Sequence, residues 1–202
     1  MHGLVNRAIQ CFVLDTYGDA AWEDIARRAD LGFTAFEAML QYEPELTDAV
    51  MNAAVSLLGK SRNELLEDLG TYLVSHPTQG AVRRLLRFSG ADFIDFIHSL
   101  DDLPDRARLA VPDLGLPTLV LFDHTPQRFS LECHGSVPGF GYVLLGVLRA
   151  MADDYGALVI LDYQGSKGPI EILSIDVVEA AFAQGRSFEL VNPQQVPNET
   201  AN

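Results

Sequence analysis

Apolar residues recur at helical spacing through the first hundred positions of the chain. The first apolar stripe comprises Leu4, Val5, Ala8, Ile9 and Phe12. It ends before Tyr17-Gly18, and later stripes predict short helices around Trp22 and over residues 33–39, and a longer one from Pro44 to Gly59. Ser61-Arg62-Asn63-Glu64 has the pattern of a capping box that starts another helix. The pattern therefore predicts a helical N-terminal half.

The pattern changes near Pro104, after a last helical stripe from Phe93 to Leu100. Pro112 and Pro117 interrupt a stretch that cannot be one continuous helix. Strand, strand, helix, strand and strand are then predicted over residues 118–122, 128–133, 139–155, 158–163 and 170–175. Helices followed by such a set predict an α+β fold built on one antiparallel sheet. We expect one domain over residues 1–191 and a polar C-terminal tail over residues 192–202.

The charge and the apolar content of the chain exclude some classes of function. The chain has 202 residues and a formal net charge of -14, which repels nucleic acid and anionic membrane surfaces. No apolar run reaches the roughly 20 residues needed to cross a bilayer, and the N-terminus lacks the apolar core of a signal peptide. We therefore expect no nucleic-acid partner, no membrane insertion and a cytoplasmic location.

Catalytic and metal-binding motifs are missing from the sequence. It contains no GxSxG, HExxH or GxxxxGK[ST] segment, so we expect no enzymatic activity. The pairs Asp101-Asp102 and Asp153-Asp154 are interpreted as helix-end capping or solubility. Cys133 and His134 are adjacent on a predicted strand and point to opposite faces, so they do not grip one ion.

Several segments resemble one known family in order and spacing. They are the opening Met-His-Gly-Leu-Val-Asn-Arg-Ala-Ile, Trp22-Glu23-Asp24-Ile25, Leu57-Leu58-Gly59-Lys60, Glu64-Leu65-Leu66, Leu69-Gly70-Thr71-Tyr72, Val111-Pro112-Asp113-Leu114 with Pro117, and Leu144-Leu145-Gly146-Val147-Leu148. This set resembles the haem–nitric oxide/oxygen-binding (H-NOX) family. The resemblance implies an α+β H-NOX fold, with a helical subdomain followed by a four-stranded antiparallel sheet with helices, enclosing a deep pocket.

The residues that hold haem in the family have no counterparts here. The resemblance implies an iron-binding histidine directly after an Asp-x-Leu triplet, but Asp101-Asp102-Leu103 is followed by Pro104, which has no lone pair for iron. The Tyr-x-Ser-x-Arg motif that holds the haem propionates corresponds to Cys133, Gly135 and Val137. Haem is the family cofactor, but we predict no cofactor held by those usual ligands.

The resemblance also assigns the positions that surround the pocket. They are His2, Leu73, Leu103, Pro104, Pro117, Cys133, Gly135, Val137, Phe140 and Leu144. No metal site is predicted, and the remaining candidates for an unusual iron ligand are His2 and His98. His2 stands where the family packs an aromatic residue near the haem. His98 lies six residues before Pro104 on the same predicted helix, and a rotation of about 240° directs it away from the pocket wall.

Three hypotheses about function follow. The first is an H-NOX-like sensory, ligand-binding signalling domain that does not hold haem through a proximal histidine and takes a small apolar ligand or gas. The second is a haem-based nitric oxide or oxygen sensor with a non-standard iron ligand. The third is a protein-interaction module with a collapsed pocket. From its size we expect the chain to have no effector domain of its own, and the resemblance implies a signalling partner such as a histidine kinase or diguanylate cyclase.

Overall fold

The computed structural model describes residues 1–87, 90–135 and 137–185, so the predicted tail and the predicted domain end at residue 191 lie outside it. The helices are α1 (Gly3–Tyr17), α2 (Asp19–Arg28), α3 (Pro44–Leu58), α4 (Arg62–Ser75), α5 (Gly80–Arg87), α6 (Phe93–His98), α7 (Leu103–Ala110) and α8 (Phe140–Tyr155). The strands are β1 (Thr118–Thr125), β2 (Arg128–His134), β3 (Leu158–Lys167) and β4 (Ile170–Glu179). None of these helices combines the length and apolar character needed to span a membrane.

The four strands form one antiparallel sheet in the order β1-β2-β4-β3. On β2, Phe129, Leu131 and Cys133 are buried, while the residues between them are half-exposed. This alternation places one face of the sheet against the helices. In register on β4, Leu173 pairs with Leu131 and Glu171 pairs with Cys133. The predicted α+β fold with four antiparallel strands is confirmed.

Two hydrophobic clusters form the core of the described part of the protein. The N-terminal cluster contains buried side chains of α1 to α4, and the sheet cluster lies between the sheet and α5 to α8. Helices α4 and α8 connect them at a close crossing. A Cβ on Gly70 would overlap the carbonyl oxygen of Val143, and one on Gly146 would overlap that of Glu67. Only glycine lets the two backbones approach so closely.

The prediction of a helix over residues 33–39 is wrong, because the whole segment from residue 31 to 43 is irregular. Several of its polar groups bond to neighbouring elements. The Phe36 amide donates to Oε1 of Gln10 at 2.9 Å, and Nε1 of Trp22 donates to the Thr34 carbonyl at 2.9 Å. These tertiary bonds, together with burial of the Phe36 ring, override the helical spacing of the apolar residues.

The chain around Pro104 also differs from the prediction. The helix that contains His98 ends at that residue, and a separate helix, α7, begins at Leu103. Pro104 lies in the first turn of α7, where a missing amide hydrogen costs little. The prediction that His98 and Pro104 share one helix is therefore wrong, and the rotation of about 240° between them does not apply.

Candidate ligand pocket at the end of the sheet

A cavity of about 190 Å³ lies at one end of the sheet, where β1 begins, β2 ends, the β3–β4 hairpin turns and α8 starts. Five of its lining residues are positions that the resemblance assigns to the pocket: Pro117, Cys133, Gly135, Val137 and Phe140. The other three are Pro138, Pro169 and Glu171. The structure therefore brings half of the ten predicted pocket positions together around one cavity.

Glycines allow the backbone to close around this cavity. A Cβ on Gly135 would lie 2.6 Å from the Cβ of Pro117, so the end of β2 could not approach the start of β1 with a larger residue. Gly139 has a φ of 87° and turns the chain into α8. A Cβ on Gly141 would lie 3.0 Å from Tyr163, so glycine at this position lets α8 start close to the sheet.

Glu171 was not among the predicted site residues, yet it supplies the charge of the cavity. Its Oε1 accepts the Gly139 amide at 2.7 Å and its Oε2 accepts the Gly141 amide at 2.6 Å. The Tyr163 hydroxyl donates to Oε1 at 3.4 Å. The carboxylate therefore caps the N-terminus of α8, where a negative charge is favoured. Counting back by two residues from buried Leu173 would have placed Glu171 on the inner face of β4.

Cys133 contributes an uncharged side chain to the lining of the cavity. Its side chain is buried on the inner face of β2, whereas His134 faces the other way and bonds Glu132 at 2.8 Å. Burial, and then the negative charge of Glu171, raise the pKa of the Cys133 thiol to about 12. At neutral pH this side chain therefore behaves as a small apolar group.

The remaining predicted positions do not line this cavity. Leu103 and Leu144 are buried in the sheet cluster, and Pro104 is buried beside Leu103 on α7. Leu73 is half-buried against the N-terminal cluster. His2 is buried at the start of α1. These five residues therefore lie in different parts of the structure and do not surround one cavity.

The two histidines considered as unusual iron ligands have protein partners. Nδ1 of His2 accepts the Leu4 amide at 3.1 Å and caps α1. His98 is exposed, with Nε2 3.7 Å from Asp123 and its ring edge-on to Phe129. Across the described part of the chain, no three or more His, Cys, Asp or Glu residues are grouped so that they could hold a metal ion.

One acidic pair differs from its sequence interpretation. Asp154 is not a solvated helix-end residue, because its side chain is 2% exposed and its Oδ2 lies 2.5 Å from Nε of Arg83. The reason is that the side chain of Arg83, on α5, reaches the end of α8. Asp101 accepts the Leu121 amide at 2.8 Å and so satisfies a backbone donor of edge strand β1.

Comparisons with known proteins agree with the architecture. Residues 2–161 match the family model described as Haem-NO-binding. Among curated proteins, "Soluble guanylate cyclase gcy-31" of Caenorhabditis elegans is 21% identical over 154 residues, which are 76% of this chain and 22% of that protein. "Soluble guanylate cyclase 89Da" of Drosophila melanogaster is 22% identical over 181 residues, 85% of this chain and 27% of that protein. The chain thus spans about a quarter of the length of these relatives.

A solved structure has the same fold. The Fe(II) unliganded H-NOX protein from K. algicida superposes with a TM-score of 0.76 at 17% identity, covering 91% of this chain and 100% of that one. The family match over most of the sequence, the helical half and the four-stranded antiparallel sheet all agree with the resemblance found in the motifs. This chain belongs to the Haem-NO-binding, or H-NOX, family.

Proposed function

We propose that this chain is an H-NOX-type sensory domain that binds a small ligand, signals through a partner protein and does not hold haem through a proximal histidine. Pro104 is the observation that carries the proposal. It directly follows Asp101-Asp102-Leu103, has no lone pair for iron and is buried in the first turn of α7. Iron would therefore have no ligand from the position on which the resemblance relies.

The positions that correspond to the propionate-binding motif support the same proposal. Cys133 offers a neutral thiol, Gly135 has no side chain and Val137 is apolar. The charge at the cavity is the carboxylate of Glu171, which would repel a propionate. Burying unpaired carboxylates there would cost several kcal/mol. These residues do not fit haem held in the family's manner, and we assign haem no part in the mechanism.

A haem sensor with a substitute ligand is opposed by the contacts of His2. Nδ1 of His2 already accepts the Leu4 amide, so its lone pair is engaged in this hydrogen bond. Binding iron would break the cap of α1. His98 is exposed beside Asp123, at the edge of the sheet cluster, where its ring contacts Phe129.

An interaction module with a filled interior is the second candidate function. The burial of Leu103 and Leu144 in the continuous sheet cluster favours it, because these are positions that the resemblance assigns to the pocket. The two candidates differ at the cavity beside Cys133. A ligand-binding domain takes a small molecule there, whereas an interaction module does not.

The partner and the absence of catalysis are also part of the proposal. The match of residues 2–161 to the Haem-NO-binding family model supports a regulatory role rather than catalysis. By family resemblance, the partner is a signalling protein such as a histidine kinase or diguanylate cyclase. With a net charge of -14, its association with a basic partner surface would weaken as salt increases.

An absorption spectrum tests the central claim. The protein is expressed with added haem precursor, purified and then reconstituted with haem, with the K. algicida H-NOX protein treated in parallel as a positive control. We expect no stoichiometric Soret band from this chain. A stoichiometric band that shifts with nitric oxide would overturn the proposal. His2→Ala and His98→Ala would then identify the substitute ligand as the variant that loses the band.

A further inference from the structure

Among the described residues that line the cavity at the end of the sheet, one is charged and most of the others are apolar. Pro117, Val137 and Phe140 are among its apolar lining residues, and Glu171 is the charged one. Its volume of about 190 Å³ corresponds to roughly six water molecules at about 30 Å³ each. The cavity therefore suits a small organic molecule rather than a drug-sized ligand, whose pockets start at about 300 Å³.

The carboxylate of Glu171 keeps capacity for one more donor. A carboxylate has about four lone-pair sites, and three donors from the described part of the chain contact this one. Gly139 and Tyr163 both donate to Oε1, whereas Gly141 alone donates to Oε2. A second lone-pair site on Oε2 is thus open to a ligand N–H group.

The negative charge of Glu171 is not balanced by a side-chain cation in the described part of the chain. No lysine, arginine or histidine among residues 1–87, 90–135 and 137–185 forms an ion pair with it, and the donors from these residues are two backbone amides and a phenol. The Cys133 thiol beside it stays neutral. A ligand cation would gain from this charge, because apolar walls strengthen the attraction and the acidic chain attracts cations.

We propose that this cavity binds a small organic amine in its protonated form. The ammonium group donates to Oε2 of Glu171, and the apolar part of the ligand packs against Val137 and Phe140. The Phe140 ring can also attract the cation through its π face. This inference rests on the proposed function, because it assigns the ligand class of the same pocket.

Three probes of similar size and different charge test the proposal. Benzylamine is a cation at pH 7, benzyl alcohol is its neutral counterpart and benzoate is an anion. Binding to the full chain is followed by two-dimensional NMR at the amides of Gly135, Gly139 and Gly141. We expect benzylamine to bind at least about tenfold more tightly than benzyl alcohol, as a charge-assisted hydrogen bond implies. Benzoate should not bind.

Matched variants locate the effect. The Glu171→Gln variant should bind benzylamine and benzyl alcohol with about equal affinity. Glu132→Gln removes the same charge from the opposite face of the sheet and should leave the preference unchanged. Because Glu171→Gln could disturb the cap of α8, Val137→Trp provides an independent test. It leaves Glu171 in place and fills the cavity, so it should abolish binding of both benzyl compounds.

Two failures can be told apart. Equal binding of benzylamine and benzyl alcohol, or an equal loss with Glu132→Gln, would overturn the amine inference while a haem-free spectrum still supported the proposed function. Lack of binding by all three probes to a folded, haem-free protein would also overturn it. A stoichiometric Soret band would instead overturn the proposed function.

Discussion

Two aspartates with arginine partners on helices have very different surroundings. Asp154 is 2% exposed and pairs with Arg83, which is 26% exposed. Asp105 is 78% exposed and pairs with Arg108, which is 50% exposed. Removing one partner of a buried pair leaves an uncompensated charge, whereas exposed pairs contribute little. The two positions therefore allow a matched comparison within one protein.

We predict that Asp154→Asn lowers the free energy of unfolding by about 2–4 kcal/mol, a value kept below that of a fully buried pair because Arg83 retains some contact with water. Asp105→Asn should change it by less than about 0.5 kcal/mol. Urea unfolding monitored by circular dichroism measures both. Equal effects of the two substitutions would show that Asp154 is not the buried partner described.

The cysteines should differ in reactivity. Cys11 is half-buried, whereas Cys133 is buried and its pKa is raised from 9.0 to about 12. At pH 8 this shift lowers the thiolate fraction of Cys133 by about a thousandfold. We predict that a thiol-reactive aromatic disulfide labels Cys11 quickly and Cys133 very slowly in the native protein. Cys11→Ser should remove the fast phase, and a fast phase that persists in this variant would contradict the burial of Cys133.

At the scale of elements, the start of α4 is a capping box that agrees with the sequence prediction. Oγ of Ser61 accepts the Glu64 amide at 3.3 Å, and Oε2 of Glu64 accepts the Ser61 amide at 2.7 Å. The side-chain hydrogen bond from Ser61, and then the backbone one, lower the pKa of Glu64 from 4.5. The ionised form of Glu64 therefore stabilises the folded helix.

This pKa change gives a pH-dependent prediction. A lowered folded pKa stabilises the protein above the unfolded value of 4.5, and the contribution is lost as the pH falls through the folded pKa. The difference in Tm between the native protein and Glu64→Gln should be largest near neutral pH and disappear in acid. Thermal unfolding between pH 7 and about pH 3 measures it, with Glu23→Gln on α2 as the baseline. A difference that grows in acid would contradict the cap.

The strands show how far the sequence could predict the elements. Their inward residues, such as Leu131 and Leu173, alternate with exposed ones, so the sheet could be predicted from the pattern alone. The end of β1 could not, because Asp123, His124 and Thr125 are exposed and carry no apolar signal. Those residues are extended by backbone pairing with β2, which is a tertiary effect.

Two features of the structure were not predicted. Pro104 is predicted from the sequence to lie on the helix that contains His98, whereas this proline lies in the first turn of a separate helix, α7, which a proline there can begin. At the candidate site, Glu171 was missed because its role depends on the amides of Gly139 and Gly141, which are about thirty residues away in sequence. The family resemblance predicted five positions around the cavity. The charged residue between them, Glu171, could be identified only from the packing of α8 on β4.

At the scale of the whole molecule, the crossing of α4 and α8 joins the N-terminal cluster to the sheet cluster. Gly70 and Gly146 bring the two backbones together, and the Glu67–Arg149 ion pair lies at the same crossing. The single tryptophan, Trp22, is buried in the N-terminal cluster, so its fluorescence reports that half of the protein alone. Circular dichroism reports the helices of both halves.

We predict that fluorescence and circular dichroism give coincident urea transitions for the native protein, because the crossing makes the two clusters unfold together. In Gly146→Ala the new Cβ would overlap the Glu67 carbonyl and lie 2.7 Å from the Thr71 amide nitrogen, so α8 must move away from α4. We expect the free energy of unfolding to fall by about 3 kcal/mol or more, and the fluorescence and circular dichroism transitions to separate. Gly80→Ala on α5 is the control, since its Cβ would meet only the flexible end of Arg84 at 3.4 Å; alanine there should be neutral or stabilise the helix by up to about 1 kcal/mol. If Gly146→Ala kept coincident transitions and native stability, the clusters would be joined by contacts other than the α4–α8 crossing.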